Sequence, residues 1–355
     1  MHASRLLNMS SDTCIIFLCP DAPHATGGVT KIYEFAAALK SAGQNVAVVH
    51  QDPQYRPSWF ATNVPITGRQ NTVVGAYDLL VVPEFMTTLL PQLRGCAKVV
   101  LNQAFSSHGA NWFQDELVCS VVSTSRYIHR YIQFVHPEIE SIPIQLGYEK
   151  SLFNAKNALK KKQIAYMPRR RGDDSKRIIQ ALERRGALVG WTVVAIDELS
   201  AQEVARVLRE SMIFLSFSQR EGFGLPPLEA MACGCLVVGF HGLGGAEFFN
   251  PDYCYPISED DICTFQETLE VLLTDPEVES ICQVKGHAAA KAIAEKYTMA
   301  RQDADAVAAF SQSLLLAKEM TGRYAVDLGR IDFEPSRLRA SARHLKKAIT
   351  SLVTN

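Results

Sequence analysis

The chain contains 355 residues, of which 47% are hydrophobic and 21% are charged, as in ordinary folded globular proteins. A single hydrophobic core stops growing at about 250–300 residues, so this length favours two domains. The 36 basic and 37 acidic side chains leave a formal net charge of -1. This balance excludes a general electrostatic attraction to nucleic acid or to an anionic membrane.

Cysteine usage and hydropathy favour a cytoplasmic protein. The nine cysteines are odd in number and none are spaced C-x-x-C, so we expect reduced thiols and no metal site. No apolar run reaches the roughly 18–20 residues of a membrane span. The segment Met1–Ser11 lacks the apolar core of a signal peptide. At most a peripheral contact with a membrane is expected.

Short apolar runs alternate with helical segments through the first half of the chain. The run Cys14–Cys19 predicts a buried strand, followed by the glycine-rich turn Thr26-Gly27-Gly28, a helix over 29–42 and a strand over 46–49. This order is a βαβ unit, which implies a parallel sheet. A helix near Arg126–Phe134 is predicted to begin at an N-cap, Ser125. Further strands are predicted at 79–82, 98–102 and 118–122.

The same alternation restarts after residues 145–153, which we interpret as a hinge. The predicted strands are 164–167, 191–196, 212–215 and 236–238, and the predicted helices are 176–185, 201–210, 262–274 and 278–316. Two such halves predict an α/β protein of two doubly wound, Rossmann-like domains that face a central cleft. We expect these domains at 1–146 and 147–300. C-terminal helices in 301–355, including an amphipathic helix near 336–352, are expected to cross back to the first domain.

The most informative stretch is residues 220–234, REGFGLPPLEAMACG. It follows a predicted strand, and parallel α/β sheets bind ligands at the carboxyl ends of their strands. Gly222 and Gly224 let the backbone approach a ligand closely. Pro227 suits the first turn of a helix, whose free N–H groups and dipole favour an anion such as a diphosphate.

Two acidic residues of this stretch are candidate ligand-binding groups. Glu229 is predicted to lie in the first helical turn, where its carboxylate can accept hydrogen bonds from vicinal hydroxyls. Glu221, eight residues earlier, can contact another part of the same ligand. The alternative is a buried turn in which Glu229 only complements the helix dipole. The combination of two Gly, two Pro and two Glu at this spacing favours the ligand site.

Residues 221–234 resemble the E-x7-E signature of the retaining family 4 glycosyltransferases, which have the GT-B fold. The layout is similar over about residues 12–315. The resemblance implies that Glu229 binds the ribose of a nucleotide-sugar donor and that Glu221 contacts the transferred sugar near the reaction centre. It also implies donor contacts from the segment after Glu221, namely Gly222, Phe223, Gly224 and Leu225.

The resemblance further implies a basic pair that holds the diphosphate after the first strand of the second domain. Either Arg170 or Arg171, together with Lys176, matches the expected spacing. The glycines that flank the basic residues in the family are missing here. Arginine and lysine side chains would neutralise the leaving diphosphate. The alternative is a solvated basic face that continues Lys160-Lys161-Lys162.

Three positions of the first domain complete the expected site. Gly27 and Gly28 are similar to the glycine-rich loop that lies against the diphosphate and the acceptor, although a plain βα turn also explains them. The family often has a histidine after a later strand of this domain. Here Asn102-Gln103 stands in that position, so Gln103 is the candidate catalytic contact, with His108 as a weaker one.

The expected activity is therefore that of a retaining hexosyltransferase. It would move a sugar from a nucleotide-sugar donor, a UDP- or GDP-sugar, to a sugar, lipid or small-molecule acceptor. The resemblance implies no cofactor and no metal at the diphosphate, and no nucleic acid is expected as a partner. Two alternatives stay open: a sugar-nucleotide epimerase or phosphorylase on the same fold, and a non-catalytic protein that binds a nucleotide sugar.

Overall fold

A computed structural model describes residues 13–22, 24, 26–105, 115–156, 159–331 and 333. The helix expected near 336–352 and the candidate His108 lie outside these residues. The described chain folds around two parallel sheets of seven and five strands. We call the first sheet with the helices that cover it the first lobe, and the second sheet with its helices the second lobe.

The first half of the chain builds the seven-stranded sheet, in the order β3-β2-β1-β5-β6-β7-β8. Its elements are β1 (Cys14–Leu18), α1 (Gly27–Ser41), β2 (Asn45–His50), β3 (Ile66–Gly68), β4 (Val73–Val74), β5 (Leu79–Pro83), β6 (Ala97–Asn102), β7 (Val118–Ser123), α2 (Arg126–Val135) and β8 (Ser141–Pro143). The apolar runs are strands because both faces of the sheet are covered, so each strand buries side chains on both sides. Ser125 caps α2 as expected, since its hydroxyl accepts a hydrogen bond from Ile128 N at 3.2 Å.

The second half builds the five-stranded sheet, in the order β10-β9-β11-β12-β13. Its elements are β9 (Lys161–Tyr166), α3 (Gly172–Arg184), β10 (Thr192–Ala195), α4 (Ala201–Glu210), β11 (Ser211–Glu221), α5 (Leu225–Ala232), β12 (Leu236–Leu243), β13 (Cys254–Ile257), α6 (Ile262–Thr274) and α7 (Val278–Lys296). Helix α4 begins with a capping box in which Ser200 and Glu203 satisfy each other's backbone N–H groups. The predicted α/β architecture of two parallel sheets is confirmed.

The prediction of one helix over 278–316 is wrong. Helix α7 ends at Lys296, and a second helix, α8 (Met299–Glu319), begins after a break at Tyr297-Thr298. Thr298 is extended, with φ -104° and ψ 149°, and its hydroxyl accepts a hydrogen bond from Arg301 N. A residue in this conformation ends one helix and caps the next. The break redirects the chain from the second lobe to the first.

Helix α8 lies on the first sheet beside α1. The Phe310 ring is 5.1 Å from that of Phe17 on β1 and 6.2 Å from that of Phe35 on α1. After α8, a two-residue strand, β14 (Val326–Asp327), pairs antiparallel with β4 at the edge of the first lobe. In the part of the chain that the structure describes, no helix combines the length and apolar character required to cross a bilayer.

The chain passes between the lobes twice, and the two crossings touch at Gly147. A Cβ added to Gly147 would lie 2.6 Å from the Thr298 carbonyl carbon and 2.7 Å from Met299 N. The Gly147 N–H donates to Gln302 Oε1 at 3.0 Å. The crossings therefore pack backbone against backbone, with no room for a side chain between them.

We predict that Gly147→Ala lowers the free energy of unfolding by about 1–3 kcal/mol, because backbone atoms cannot move away as a flexible side chain would. The measurement is urea denaturation followed by circular dichroism. Gly172→Ala is the control, since a Cβ at Gly172 meets nothing within 4 Å. Equal stability of the two variants would contradict the close crossing.

Candidate functional site

A cleft of about 570 Å³ lies between the two lobes, at the carboxyl ends of the strands. This volume is within the range of small-molecule sites. The first lobe contributes residues of the loop before α1 and of α1 itself, and the second lobe contributes the ends of β9, β10 and β11 and the start of α5. The predicted site residues among its lining are Gly27, Arg170, Glu221, Leu225 and Glu229.

Glu221 is the last residue of a strand and not part of a loop. The sequence predicted a strand that ends at Leu215, but β11 continues to Glu221 because its later residues pair with β12 as far as Leu243. The carboxylate of Glu221 accepts hydrogen bonds from Arg170 at 2.8 and 3.4 Å. The strand end and the β9–α3 loop thus place one acidic and one basic group together in the cleft.

Glu229 lies in the second turn of α5 and not in the first, because the helix begins at Leu225. Its carboxylate lines the cleft. No described residue donates a hydrogen bond to it. Desolvation raises the pKa of this carboxyl to about 8, an effect that Lys31 opposes and Glu34 reinforces. A carboxylate that lacks a protein partner and faces a cavity is suited to accept hydrogen bonds from a ligand.

The start of α5 offers fewer free N–H groups than the sequence analysis assumed. Leu225, Pro226 and Pro227 are its first three residues, and proline has no N–H. Leu225 alone among them can donate to an anion. Gly224 precedes the helix with φ +94°, a conformation that favours glycine. Several free backbone N–H groups were expected at this turn to bind an anion. Among the first three residues of the helix, only the N–H of Leu225 is present.

The structure separates the two candidate arginines. Arg170 lines the cleft and is 55% exposed. The Arg171 side chain is only 6% exposed and is held by Asp174, Glu259 and Asp260 at 3.3, 3.2 and 2.6 Å. Its guanidinium also lies over the Phe240 ring, 4.5 Å from the centroid.

Arg171 is thus committed to contacts within the second lobe and does not line the cleft, whereas its neighbour Arg169 does. The third basic candidate, Lys176, is exposed on α3 and is also not among the cleft-lining residues. Of the predicted basic residues, the structure therefore brings Arg170 alone to the cleft.

The motif backbone touches the first lobe directly. Ala104 forms a β-bridge with Glu221, and a Cβ added to Gly222 would overlap the Gln103 carbonyl oxygen. The Gln103 backbone N–H donates to the buried carboxyl of Glu84 at 3.1 Å, whose pKa burial raises to about 7. Gly222 is therefore needed for close contact between the lobes, and Glu84 positions the segment that it touches.

The predicted ligand contacts Gly27, Gly28 and Phe223 differ in what surrounds them. A Cβ added to Gly27 would lie 3.3 Å from Leu225 Cδ1, and one added to Gly28 would lie 3.7 Å from Gln103 Nε2. Gly27 and Gly28, expected in a loop, are the first two residues of α1, and they lie against Leu225 of the motif and against Gln103. The Phe223 side chain is 3% exposed and packs against Phe248 and Tyr297, so only its backbone is available for a ligand.

The second lobe carries a match to a family model described as "Glycosyl transferases group 1", over residues 172–288. A curated α-1,6-glucosyltransferase of Actinobacillus pleuropneumoniae serotype 7 (strain AP76) is 55% identical over 49 residues. Those residues are 14% of this chain and 15% of that protein, so the similarity covers only a small part of the relative.

Solved structures share the architecture of most of the chain. Sucrose-phosphate synthase of Thermosynechococcus elongatus superposes with a TM-score of 0.63 at 14% identity, over 86% of this chain and all of the other. The Anabaena protein HepE, solved with UDP and glucose, gives 0.60 at 12% identity, over 84% of this chain and all of HepE. The chain has the GT-B fold.

Within the GT-B cleft, sequence reasoning missed the polar residues of α1. The Lys31 side chain is 4% exposed, and its ammonium group donates to Glu34 at 2.7 Å, to the Gly147 carbonyl at 2.8 Å and to Gln302 at 2.8 Å. A signal existed, because Thr30, Lys31 and Glu34 are polar residues spaced along one side of an otherwise apolar helix. Gln302 of α8, which hydrogen-bonds to both Lys31 and Glu34, is distant in sequence and left no local pattern.

Two further groups of cleft residues also escaped the sequence analysis. Trp59 and Phe60 line the cleft from the segment between β2 and β3, and the Trp59 indole donates to the Ala22 carbonyl at 3.3 Å. Residues 196–199 line it after β10, where Glu198 has φ +53°. These aromatic and loop residues carry no motif that would identify them in a single sequence.

The raised pKa of Glu229 predicts a pH-dependent stability. A carboxyl whose folded pKa exceeds its unfolded value stabilises the protein fully at low pH, and that stability is lost as the pH rises from about 4.5 to about 8. We expect Glu229→Gln to remove this loss, so that the stability difference between variant and wild type grows toward pH 8. For one group the slope cannot exceed about 1.4 kcal/mol per pH unit.

The measurement is urea denaturation of both proteins from pH 5 to pH 8.5. Glu84→Gln serves as a comparison because the pKa of Glu84 is also raised, to about 7, so its effect should be complete at lower pH. If the free energies of unfolding of Glu229→Gln and wild type changed in parallel with pH, Glu229 would be solvated and its raised pKa would be contradicted.

Because the two arginines have different surroundings, replacing each of them with alanine should change the stability of the protein by different amounts. Arg171→Ala should lower the free energy of unfolding by about 1–3 kcal/mol, since it removes a buried cation from three acidic partners. Arg170→Ala should change it by less than about 0.5 kcal/mol, because its ion pair is exposed. Thermal and urea denaturation measure both, and a larger loss for Arg170→Ala would contradict the assignment.

Proposed function

We propose that this protein is a glycosyltransferase that moves a sugar from a UDP-sugar to an acceptor and retains the anomeric configuration. The observation that carries the proposal is the placement of Glu221, Arg170 and Glu229 on one interlobe cleft. That cleft belongs to a GT-B fold whose second lobe matches the group 1 glycosyltransferases.

In this proposal Glu229 binds the ribose of the donor. Its carboxylate faces the cleft without a protein hydrogen-bond donor among the described residues, and the two ribose hydroxyls supply two donors at adjacent carbons. Desolvation holds the carboxyl partly protonated near neutral pH, so ribose binding would favour the ionised form and release a proton. The low dielectric around the buried group strengthens each hydrogen bond that the ionised carboxylate accepts.

Arg170 would hold the diphosphate. Its guanidinium pairs with Glu221, so the proposal places both groups where the sugar of the donor would meet the phosphate. A bound donor would offer phosphate oxygens to Arg170, and charge-assisted hydrogen bonds to them would strengthen as the diphosphate leaves. Arg169 lines the same side of the cleft and would add a second positive charge.

The transfer itself breaks the bond between the anomeric carbon and the diphosphate oxygen and forms a bond from that carbon to an acceptor oxygen. The proton of the acceptor hydroxyl passes to the leaving phosphate oxygen, so nucleoside diphosphate and glycoside are the products. Entry of the acceptor on the face that the phosphate leaves retains the configuration. Glu221, beside the sugar, would stabilise the positive charge that develops on the ring.

The contact between Gly222 and Gln103 supports a site closed against water. The lobes approach there without an intervening side chain, and a closed cleft limits transfer of the sugar to water. Opening of the lobes would be needed to admit the donor and release the nucleotide.

UDP is the proposed nucleotide because the structurally similar HepE was solved with UDP and glucose. A hexose is the proposed sugar because the locally similar A. pleuropneumoniae protein is named a glucosyltransferase. The choice of UDP and the choice of a hexose can each be tested independently of the proposed role of the cleft.

We predict that UDP stabilises the protein against heat, by about 2.7 kcal/mol at a concentration 100-fold above its dissociation constant. Glu229→Ala should abolish this stabilisation because the ribose loses its acceptor. Glu221→Gln should preserve it but reduce sugar transfer at least 100-fold, because the charge near the anomeric carbon is lost. Differential scanning fluorimetry with UDP, GDP and ADP, and release of UDP from UDP-glucose, measure the two effects.

Glu295→Ala is the matched control, since Glu295 is exposed on α7 outside the cleft, and it should behave as wild type. NMR of the product made from UDP-glucose reports the anomeric configuration. Stabilisation by UDP that survives in Glu229→Ala would refute the ribose contact. A wild-type protein that no nucleoside diphosphate stabilises would refute the proposed function as a whole.

A further inference from the structure

Two neighbouring aromatic residues form a wall of the cleft on the side of the first lobe. Trp59 and Phe60 both line the cleft and are half-buried, and their ring centroids are 6.2 Å apart. We call this pair the aromatic wall. Aromatic side chains that line a cavity are suited to bind the apolar part of a ligand. Neither ring takes part in the donor contacts proposed above.

The aromatic wall is held by a buried side chain of α1. The ring of Tyr33, which is fully buried, lies 5.8 Å from that of Trp59 in an edge-to-face contact and 5.4 Å from that of Phe60. The Trp59 indole and the Tyr55 hydroxyl both donate to the Ala22 carbonyl, at 3.3 and 2.6 Å. The two rings are therefore fixed before a ligand binds, which reduces the entropy lost on binding.

Tyr33 is in turn fixed by a chain of hydrogen bonds. Its hydroxyl is 2.6 Å from Nε2 of His50, and Nδ1 of His50 donates to Asp21 at 2.9 Å. Asp21 also accepts from the backbone N–H groups of Gln51 and Asp52 at 3.1 and 2.9 Å. Because Nδ1 is the donor, Nε2 is left to accept from the tyrosine hydroxyl. The chain ties α1 to the end of β2 at the ring that supports the aromatic wall.

Polar groups that have no described partner line the cleft from the same helix. Thr30 and Glu34 are one turn apart on α1 and both line the cleft. No described residue hydrogen-bonds to the Thr30 hydroxyl. Lys31 and Gln302 both donate to Oε2 of Glu34, so no described residue donates to Oε1. A hydroxyl and a carboxylate oxygen near two aromatic rings suit a ligand with one apolar face and with hydroxyls at its edges.

A pyranose ring has this character. The face of an aromatic ring is negative, so the C–H groups on one face of a sugar pack against it, while the sugar hydroxyls remain free to hydrogen-bond at the edges. An alkyl chain would cover the Thr30 hydroxyl and the Glu34 carboxylate without bonding to them, which costs free energy. The surroundings of the aromatic wall therefore favour a sugar over a lipid chain.

The aromatic wall and the donor contacts proposed above belong to different lobes, and α1 connects them. The first residue of α1, Gly27, lies against Leu225 of the motif. Tyr33 is six residues further along, which is about 9 Å at the rise of an α-helix. A ligand on the aromatic wall can therefore extend a hydroxyl toward the motif.

We propose that Trp59 and Phe60 form the acceptor subsite of the cleft and select an acceptor that presents a sugar ring. The inference rests on the proposed transferase function and narrows its acceptor to a saccharide. The sugar packs one face against the aromatic wall, and its hydroxyls bond to Thr30 and Glu34. A further hydroxyl faces the donor across the cleft.

The test is saturation-transfer difference NMR of the full chain, which needs neither donor nor turnover. The probes are the methyl glycosides of glucose, galactose, mannose and N-acetylglucosamine, and hexan-1-ol as a lipid-like probe. We expect at least one glycoside to bind, with the strongest saturation on the ring C–H protons of one face. Trp59→Ala should raise the dissociation constant of that glycoside at least tenfold. Trp59→Phe should stay within threefold of wild type, because an aromatic ring remains.

Trp191→Ala is the matched control. Trp191 is also half-buried, but it precedes β10 in the second lobe and does not line the cleft. Its glycoside affinity should equal that of wild type. Thermal denaturation checks that each variant is folded, and the same scans with UDP should show wild-type stabilisation by the nucleotide in Trp59→Ala.

An absence of binding by all four glycosides, or equal dissociation constants for Trp59→Ala and wild type, would overturn the acceptor subsite. Binding of hexan-1-ol alone that Trp59→Ala loses would assign the aromatic wall to a lipid acceptor and would also overturn it. So would loss of UDP stabilisation in Trp59→Ala, since the wall would then contact the donor. Failure of the proposed function is a separate result, because UDP stabilisation of the wild-type protein tests it without any acceptor.

Discussion

The buried ammonium group of Lys31 holds the first crossing between the lobes against the two helices that cover the first sheet. It joins α1 to the first crossing at Gly147 and to Gln302 of α8, while Gln302 also accepts from Gly147 N. A buried charge is stable only when its hydrogen bonds are satisfied, and an ammonium group has three donors. Here Glu34, the Gly147 carbonyl and Gln302 meet that requirement, so α1, the first crossing and α8 are held together at one side of the cleft.

This arrangement gives the two motif carboxylates different surroundings on one cleft. Glu221 faces an arginine and stays beside the space where charge would develop. Glu229 lies deeper, where desolvation raises the pKa of its carboxyl and Lys31 partly offsets the effect. Two carboxylates of the same chemistry can therefore take different roles, because one is paired with a cation and the other lies in a desolvated place without a protein donor among the described residues.

Much of the site was predictable from local patterns. The alternation of apolar runs and helices predicted the α/β architecture, and the spacing of Glu221 and Glu229 pointed to the strand-to-helix turn that the cleft contains. Position within an element was less predictable: β11 runs six residues beyond Leu215, and Glu229 is one turn deeper in α5 than expected. Those limits depend on pairing with β12 and on two prolines at the start of the helix.

By itself the sequence determined the alternating elements, the glycine and proline positions of the motif and the residue types that could hold a nucleotide sugar, because these follow from short-range preferences of the chain. Only the tertiary structure decided that Arg170 faces the cleft while Arg171 is buried. It alone brought Lys31 to Gln302 and Ala104 to Glu221, 271 and 117 residues apart. Such choices arise from packing and charge pairing between distant segments, which leave no periodic pattern along the chain.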